Sequence, residues 1–110
     1  MLTFGTGYAG QADVLKVEVE RTGNNTFYFK VTVVHNDEGW DHHANKWDVV
    51  APYGSVLATR VLHHPHEKEQ PFTRSLGGVK IPASIKNVTI QTHDSVHGYG
   101  GKKRSVPLPR

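Results

Sequence analysis

Eight histidines and no cysteine set the chemistry open to this chain. Imidazole nitrogen suits zinc, copper, nickel or iron, and carboxylate oxygens can complete such a site. Without thiols there is no disulfide, thiolate metal site, iron–sulfur cluster or cysteine nucleophile. The histidines fall in three bunches: His35, His42 and His43; His63, His64 and His66; His93 and His97. Acids travel with them: Asp37, Glu38 and Asp41, then Glu67 and Glu69, then Asp94. His64-Pro65-His66 spaces two imidazoles so that an extended segment projects both to one side. The expected ligands are His64, His66, His42 and His97, with His43, His63 and His93 as alternates. Copper or zinc is the expected ion, since the donors are imidazole-rich and thiolate-free.

The same residues admit other uses. Imidazole titrates near neutral pH, so His93 beside Asp94, or His97 near Glu67, would make an oriented pair for proton transfer or pH sensing. Ser95, Thr73 and Ser75 offer hydroxyls, but no nucleophile-elbow or oxyanion pattern surrounds them. No catalytic residue is assigned, and the reading leans away from an enzyme. Aromatic and arginine side chains anchor contacts in recognition surfaces. A metal-independent protein- or glycan-recognition module would use Trp40, Asp41, Glu67, Glu69, Phe72, Arg74, Asp94 and Tyr99. The bland alternative makes the histidines hydrogen-bonded loop residues packed on Trp40 and Tyr99. Trp47 opens a strand and belongs in the core. Arg74 shares a face with Phe72 and Leu76, and a buried arginine needs a carboxylate. Asp48, Glu69 or Asp94 could supply it as a structural ion pair.

What positions these residues is a set of strands, because period-two alternation dominates and no stretch gives a helical period. Leu15, Val17 and Val19 alternate with charged residues between Asp13 and Arg21, which gives a strand with one wet face. Thr22-Gly23-Asn24-Asn25 is turn chemistry. Phe27, Phe29, Val31 and Val33 then share a face between Phe27 and His35. Further strands are expected over Trp47 to Ala51, Ser55 to Leu62, Phe72 to Leu76, Val88 to His93 and Lys102 to Leu108, with a long corner from Gly77 to Asn87. Val88, Ile90 and Thr92 alternate with Thr89, Gln91 and His93. Pro107 and Pro109 suit a sheet edge or terminus. Seven short strands with regular turn signals predict an all-β, immunoglobulin/fibronectin type III-like, seven-stranded antiparallel β-sandwich. A Greek-key barrel is the second choice.

Strand parity then places the chemistry. If successive strands reverse direction, the loops 36–46, 63–71 and 94–101 share one pole, and every histidine lies in one of them or at the strand end feeding it. Loops at one end of a sandwich are its usual binding surface.

Bulk properties bound the rest. The chain has 110 residues, of which 36% are hydrophobic and 21% charged, enough for one self-supporting domain. Its formal charge is +3, partly from Lys102-Lys103-Arg104 and Arg110. Basic residues are not interleaved with aromatics over a face, as nucleic-acid binding requires, so that run reads as a solvated strand edge. No apolar run reaches membrane-helix length. Residues 1–12 form a small, Gly-rich segment ending in Gly10-Gln11-Ala12, fit for a flexible N-terminus or the remnant of an export signal. Residues 13–110 are then a single domain, expected to be a monomer. No full signal peptide is present, so a cytoplasmic location stays open.

Three segments carry a resemblance: Gly39 to Trp47 (GWDHHANKW), Leu62 to Arg74 (LHHPHEKEQPFTR) and His93 to Gly98 (HDSVHG). They resemble a family of small, largely uncharacterised bacterial proteins with G-W-D-H-x-A-x-x-W, L-x-H-P-H-x-x-E-Q-P-F-T-R and H-D-S-x-H-G segments. The resemblance spans roughly residues 31 to 101. It implies an exported, periplasmic or secreted protein with a signal peptide before the first strand, a point where this sequence departs. It implies also that the three segments act together.

Overall fold

The computed structural model describes residues 12–35, 43–62, 70–96 and 98–110. Seven strands follow one another: β1 (Asp13–Gly23), β2 (Thr26–Val34), β3 (Ala44–Val50), β4 (Val56–Val61), β5 (Phe72–Lys80), β6 (Asn87–Asp94) and β7 (Arg104–Pro107). They form two antiparallel sheets, one ordered β1-β2-β5 and the other β4-β3-β6-β7. No helix among the described residues is long and apolar enough to cross a membrane.

The core lies between the sheets. Phe27, Phe29, Val31 and Val33 of β2 are fully buried, as their alternation predicts, and Trp47, Val49, Val88 and Ile90 meet them from the other sheet. Trp47 is in the core as expected, but in mid-strand, since β3 begins at Ala44 rather than at Trp47. Lys102, Lys103 and Arg104 are exposed on and beside the edge strand β7.

Two differences from the alternation have a local cause. The pairing of β1 with β2 shifts between Val14 and Lys16, so Leu15 is an extra residue. An inserted residue flips the faces on either side of it. Val14 therefore enters the core at 3% exposure while Leu15 stands out at 43%. β5 runs on through Gly77 and Gly78 to Lys80, so the expected corner begins later, at Ile81. A register shift opposite Phe27 and Phe29 absorbs the two glycines, and Gly78 takes a positive φ of 66°.

The sandwich is closed along one side by its first and last segments. The Val14 N–H donates to the Lys102 carbonyl at 2.9 Å, the Lys102 N–H to Asp13 Oδ1 at 2.7 Å, and Thr92 Oγ1 to the Ala12 carbonyl at 2.6 Å. A Cβ on Gly101 would lie 1.6 Å from the Ala12 carbonyl oxygen, so only glycine fits that crossing.

Candidate functional site

The strand ends converge as parity requires. In one sheet the end of β2 pairs with the starts of β1 and β5 (Asp13 with Val34, Phe72 with Val33). In the other, the start of β3 pairs with the ends of β4 and β6 (Lys46 with Val61, Ala44 with Asp94). One contact fastens the two sheets together at this pole. His35 Nε2 hydrogen-bonds Asp94 Oδ2, and both side chains are completely buried.

Around that pair the feet of the three loops are cross-tied. The His35 N–H donates to Gln70 Oε1 at 2.9 Å, joining the first loop to the second. The Leu62 N–H donates to the Asn45 carbonyl at 2.9 Å, joining the other feet of those loops. The His43 N–H donates to Ser95 Oγ and the Ser95 N–H to the His43 carbonyl, each at 2.9 Å, joining the first loop to the third. The third loop is shaped by Asp94 itself. Its Oδ1 accepts the Val96 N–H at 2.6 Å, and its backbone exchanges two hydrogen bonds with Gly98. Gly98 has a φ of 70°, a conformation that glycine adopts without steric cost.

His35 and Asp94 are the residues that the pattern-based reading passed over as a pair. The signal is nevertheless in the sequence. Phe27, Phe29, Val31 and Val33 point inward, and the next member of that series is His35. Val88, Ile90 and Thr92 point inward, and the next member is Asp94. Two inward-facing series each end in a polar side chain, and a buried polar group needs a partner.

The expected pairing of His93 with Asp94 does not form, because neighbours along a strand face opposite ways. His93 lies on the outer face, where Nδ1 hydrogen-bonds Asn45 Oδ1 at 2.6 Å. Its ring meets Tyr99 edge-on at 4.7 Å, and Lys46 Nζ sits 5.4 Å from the Tyr99 ring centre. Burial pushes the His93 imidazole below its ordinary pKa, with help from the Lys46 charge and against Asp48 and Asp94. The hydrogen bond to Tyr99 holds the Lys46 ammonium above its ordinary pKa.

Other expected site residues are placed as follows. His43 is buried at the foot of the first loop, and Tyr99 is 39% exposed. Phe72 and Asp94 are buried, so neither offers its side chain as open surface. Arg74 is half-buried with its guanidinium 5.6 Å from the Phe72 ring centre, and Nη1 donates to the Thr73 carbonyl at 2.7 Å. Asp48 does not serve Arg74. It lies on the outer face of the four-stranded sheet, buried between Thr59 Oγ1 at 2.6 Å and Gln91 Nε2 at 3.2 Å. His42, His63, His64, His66, His97, Trp40, Asp41, Glu67 and Glu69 lie outside the described residues. Among the described residues no group of three or more histidine, aspartate or glutamate side chains is close enough to hold a metal ion.

The chain is similar to a protein of Halomicrobium mukohataei named "Putative lipoprotein". The two are 37% identical over 96 residues. That match takes in 87% of this chain and 47% of the relative, so this chain spans about half of the relative's length. No protein-family model matches the chain, and no solved structure does. The similarity therefore extends over most of the sandwich, and half of the Halomicrobium protein has no counterpart in this sequence.

Proposed function

We propose that this chain is a fibronectin type III-like binding domain of an exported protein, and that its three-loop pole takes a zinc or copper ion on imidazole ligands. The observation that carries the reading is the cross-tying of the three histidine-bearing loops around the buried His35–Asp94 pair. That framework fixes the loop feet on strands, and a metal site needs its ligands held by a rigid support. The imidazoles of His35 and His93 are engaged in hydrogen bonds at the feet. The ligands proposed are therefore His64, His66, His42 and His97, with His43 and His63 as reserve. The strand order, three plus four with β1-β2-β5 against β4-β3-β6-β7, supports the fibronectin-like assignment. The name of the Halomicrobium relative supports export.

A second reading keeps the pole and drops the metal. Tyr99 and Val96 of the third loop are 39% and 58% exposed, which favours contact with a protein or glycan. Titrating metal-free protein with Zn²⁺ and Cu²⁺ while following histidine ring NMR signals separates the two. The metal reading expects loop imidazole signals to shift at micromolar metal, and unchanged spectra remove it. Capture of an envelope partner that persists in chelator and falls when Tyr99 is replaced would establish the second.

A further inference from the structure

Four strands lie at sheet edges, and they are not equally protected. Exposed edges invite pairing with another chain, and natural sheets blunt them with lysine, proline, bulges or covering segments. β7 carries Arg104 and Pro107 and follows Lys102 and Lys103. β1 has a bulge at Leu15, charged residues along its wet face, and a hydrogen bond from Val14 to Lys102. β5 is interrupted by the Gly77-Gly78 irregularity. β4, Val-Leu-Ala-Thr-Arg-Val, has one irregularity, the extra residue Leu57 opposite Val49 and Val50, but carries no lysine or proline. Its one charged residue, Arg60, folds across to donate from Nε to the Ser75 carbonyl at 2.9 Å. Val56 and Val61 are left 52% and 49% exposed.

The ladder shows which backbone groups turn away from β3. The bond from the Leu62 N–H to the Asn45 carbonyl sets the phase, since hydrogen-bonded and non-bonded pairs alternate along an antiparallel ladder. Arg60 and Ala58, opposite Trp47 and Val49, turn their backbone groups toward β3. Thr59 and Val61 therefore turn theirs outward, where the Val61 carbonyl accepts from Arg60 Nη1, and among the described residues no other strand pairs with β4.

We propose that β4 pairs with β4 of a second copy of this chain, antiparallel and centred on Thr59. This register is self-complementary. Thr59 meets Thr59 of the second copy as a reciprocal hydrogen-bonded pair. Val61 meets Leu57 beside Val56, where the register shift between Val49 and Val50 already provides an extra residue. Arg60 falls opposite Ala58, so like charges do not face each other. Threonine pairs and apolar pairs of this kind favour strand association. A six-residue edge covers less than the roughly 800 Å² per partner of a stable dimer, so the association is weak and visible at high protein concentration. It departs from the monomer that the sequence suggests, and it does not rest on the metal reading.

Sedimentation velocity from micromolar to millimolar protein, in EDTA so that metal cannot bridge two copies, reads the association directly. The expected result is a monomer–dimer equilibrium with concentration-dependent amide shifts centred on residues 56–61. Val61→Lys places a charge on the wet face of the edge and should weaken dimerisation by about tenfold or more. Val56→Lys repeats the test from the other end, should the first variant fold poorly. A monomer throughout the range overturns the inference. So does a dimer whose shifts map elsewhere, or one that a folded lysine variant leaves unchanged.

Discussion

Each of two inward-facing series that line the core ends in a polar side chain, and the two ends meet. Removing one partner of such a buried pair strands the other away from water. His35→Ala should therefore lower unfolding free energy by about 2–5 kcal/mol in urea denaturation, and Asp94→Leu should act in the same direction by also releasing the Val96 turn. His93 offers a pH reading of the outer face. Its folded pKa is depressed by burial and then by Lys46. Between that value and the unfolded value near 6.5 the unfolded chain binds more protons, so stability rises with pH there. His93 contributes no penalty above pH about 6.5, and its neutral form is progressively overcome as pH falls below it. A ring titration by NMR in chelator should give a midpoint under 6.5, and Lys46→Gln should move it upward. A midpoint at or above the ordinary value would mean that Lys46 and burial do not act as described.

At the scale of elements, the bulge in β1 makes two adjacent apolar residues unequal. Leu15→Lys should change stability by no more than about 0.5 kcal/mol, whereas Val14→Lys puts an unpaired charge in the core and should prevent folding. Thermal melts of the two variants test this directly. Gly101→Ala should cost about 2 kcal/mol or more, because its Cβ would collide with the Ala12 backbone rather than a movable side chain, and the loss should appear as faster amide exchange at Val14 and Lys102. Neither effect is visible in alternation alone. The count of seven strands, the two-sided core and the shared pole were legible, since they follow from period-two patterning and from reversal at each turn. Leu15 was misassigned because a bulge leaves no mark on composition. The extent of β5 was missed because Gly77-Gly78 reads as a corner, while a register shift keeps the ladder going. The His35–Asp94 pair needed one step more: following each inward series past its last apolar residue.

For the molecule as a whole, the sandwich and its pole are coupled through that pair, so a ligand held by the loops should report on global stability. An ion bound only by the native state stabilises by RT ln(1 + [L]/Kd), about 2.7 kcal/mol when free metal is a hundred times Kd. Zinc or copper should thus raise Tm in a concentration-dependent way that EDTA reverses. The His64→Ala, His66→Ala double variant removes both members of the closely spaced imidazole pair, and should melt near the native temperature without metal while losing the metal-dependent rise. His35→Ala should behave in the opposite manner, melting early without metal yet keeping a rise, because it weakens the frame and spares the proposed ligands. A rise that survives in the double variant would rest the ion on His42 and His97 with His43 or His63, without the closely spaced pair. The absence of any rise with either ion would leave the exposed Tyr99 and Val96 as the working surface of the pole.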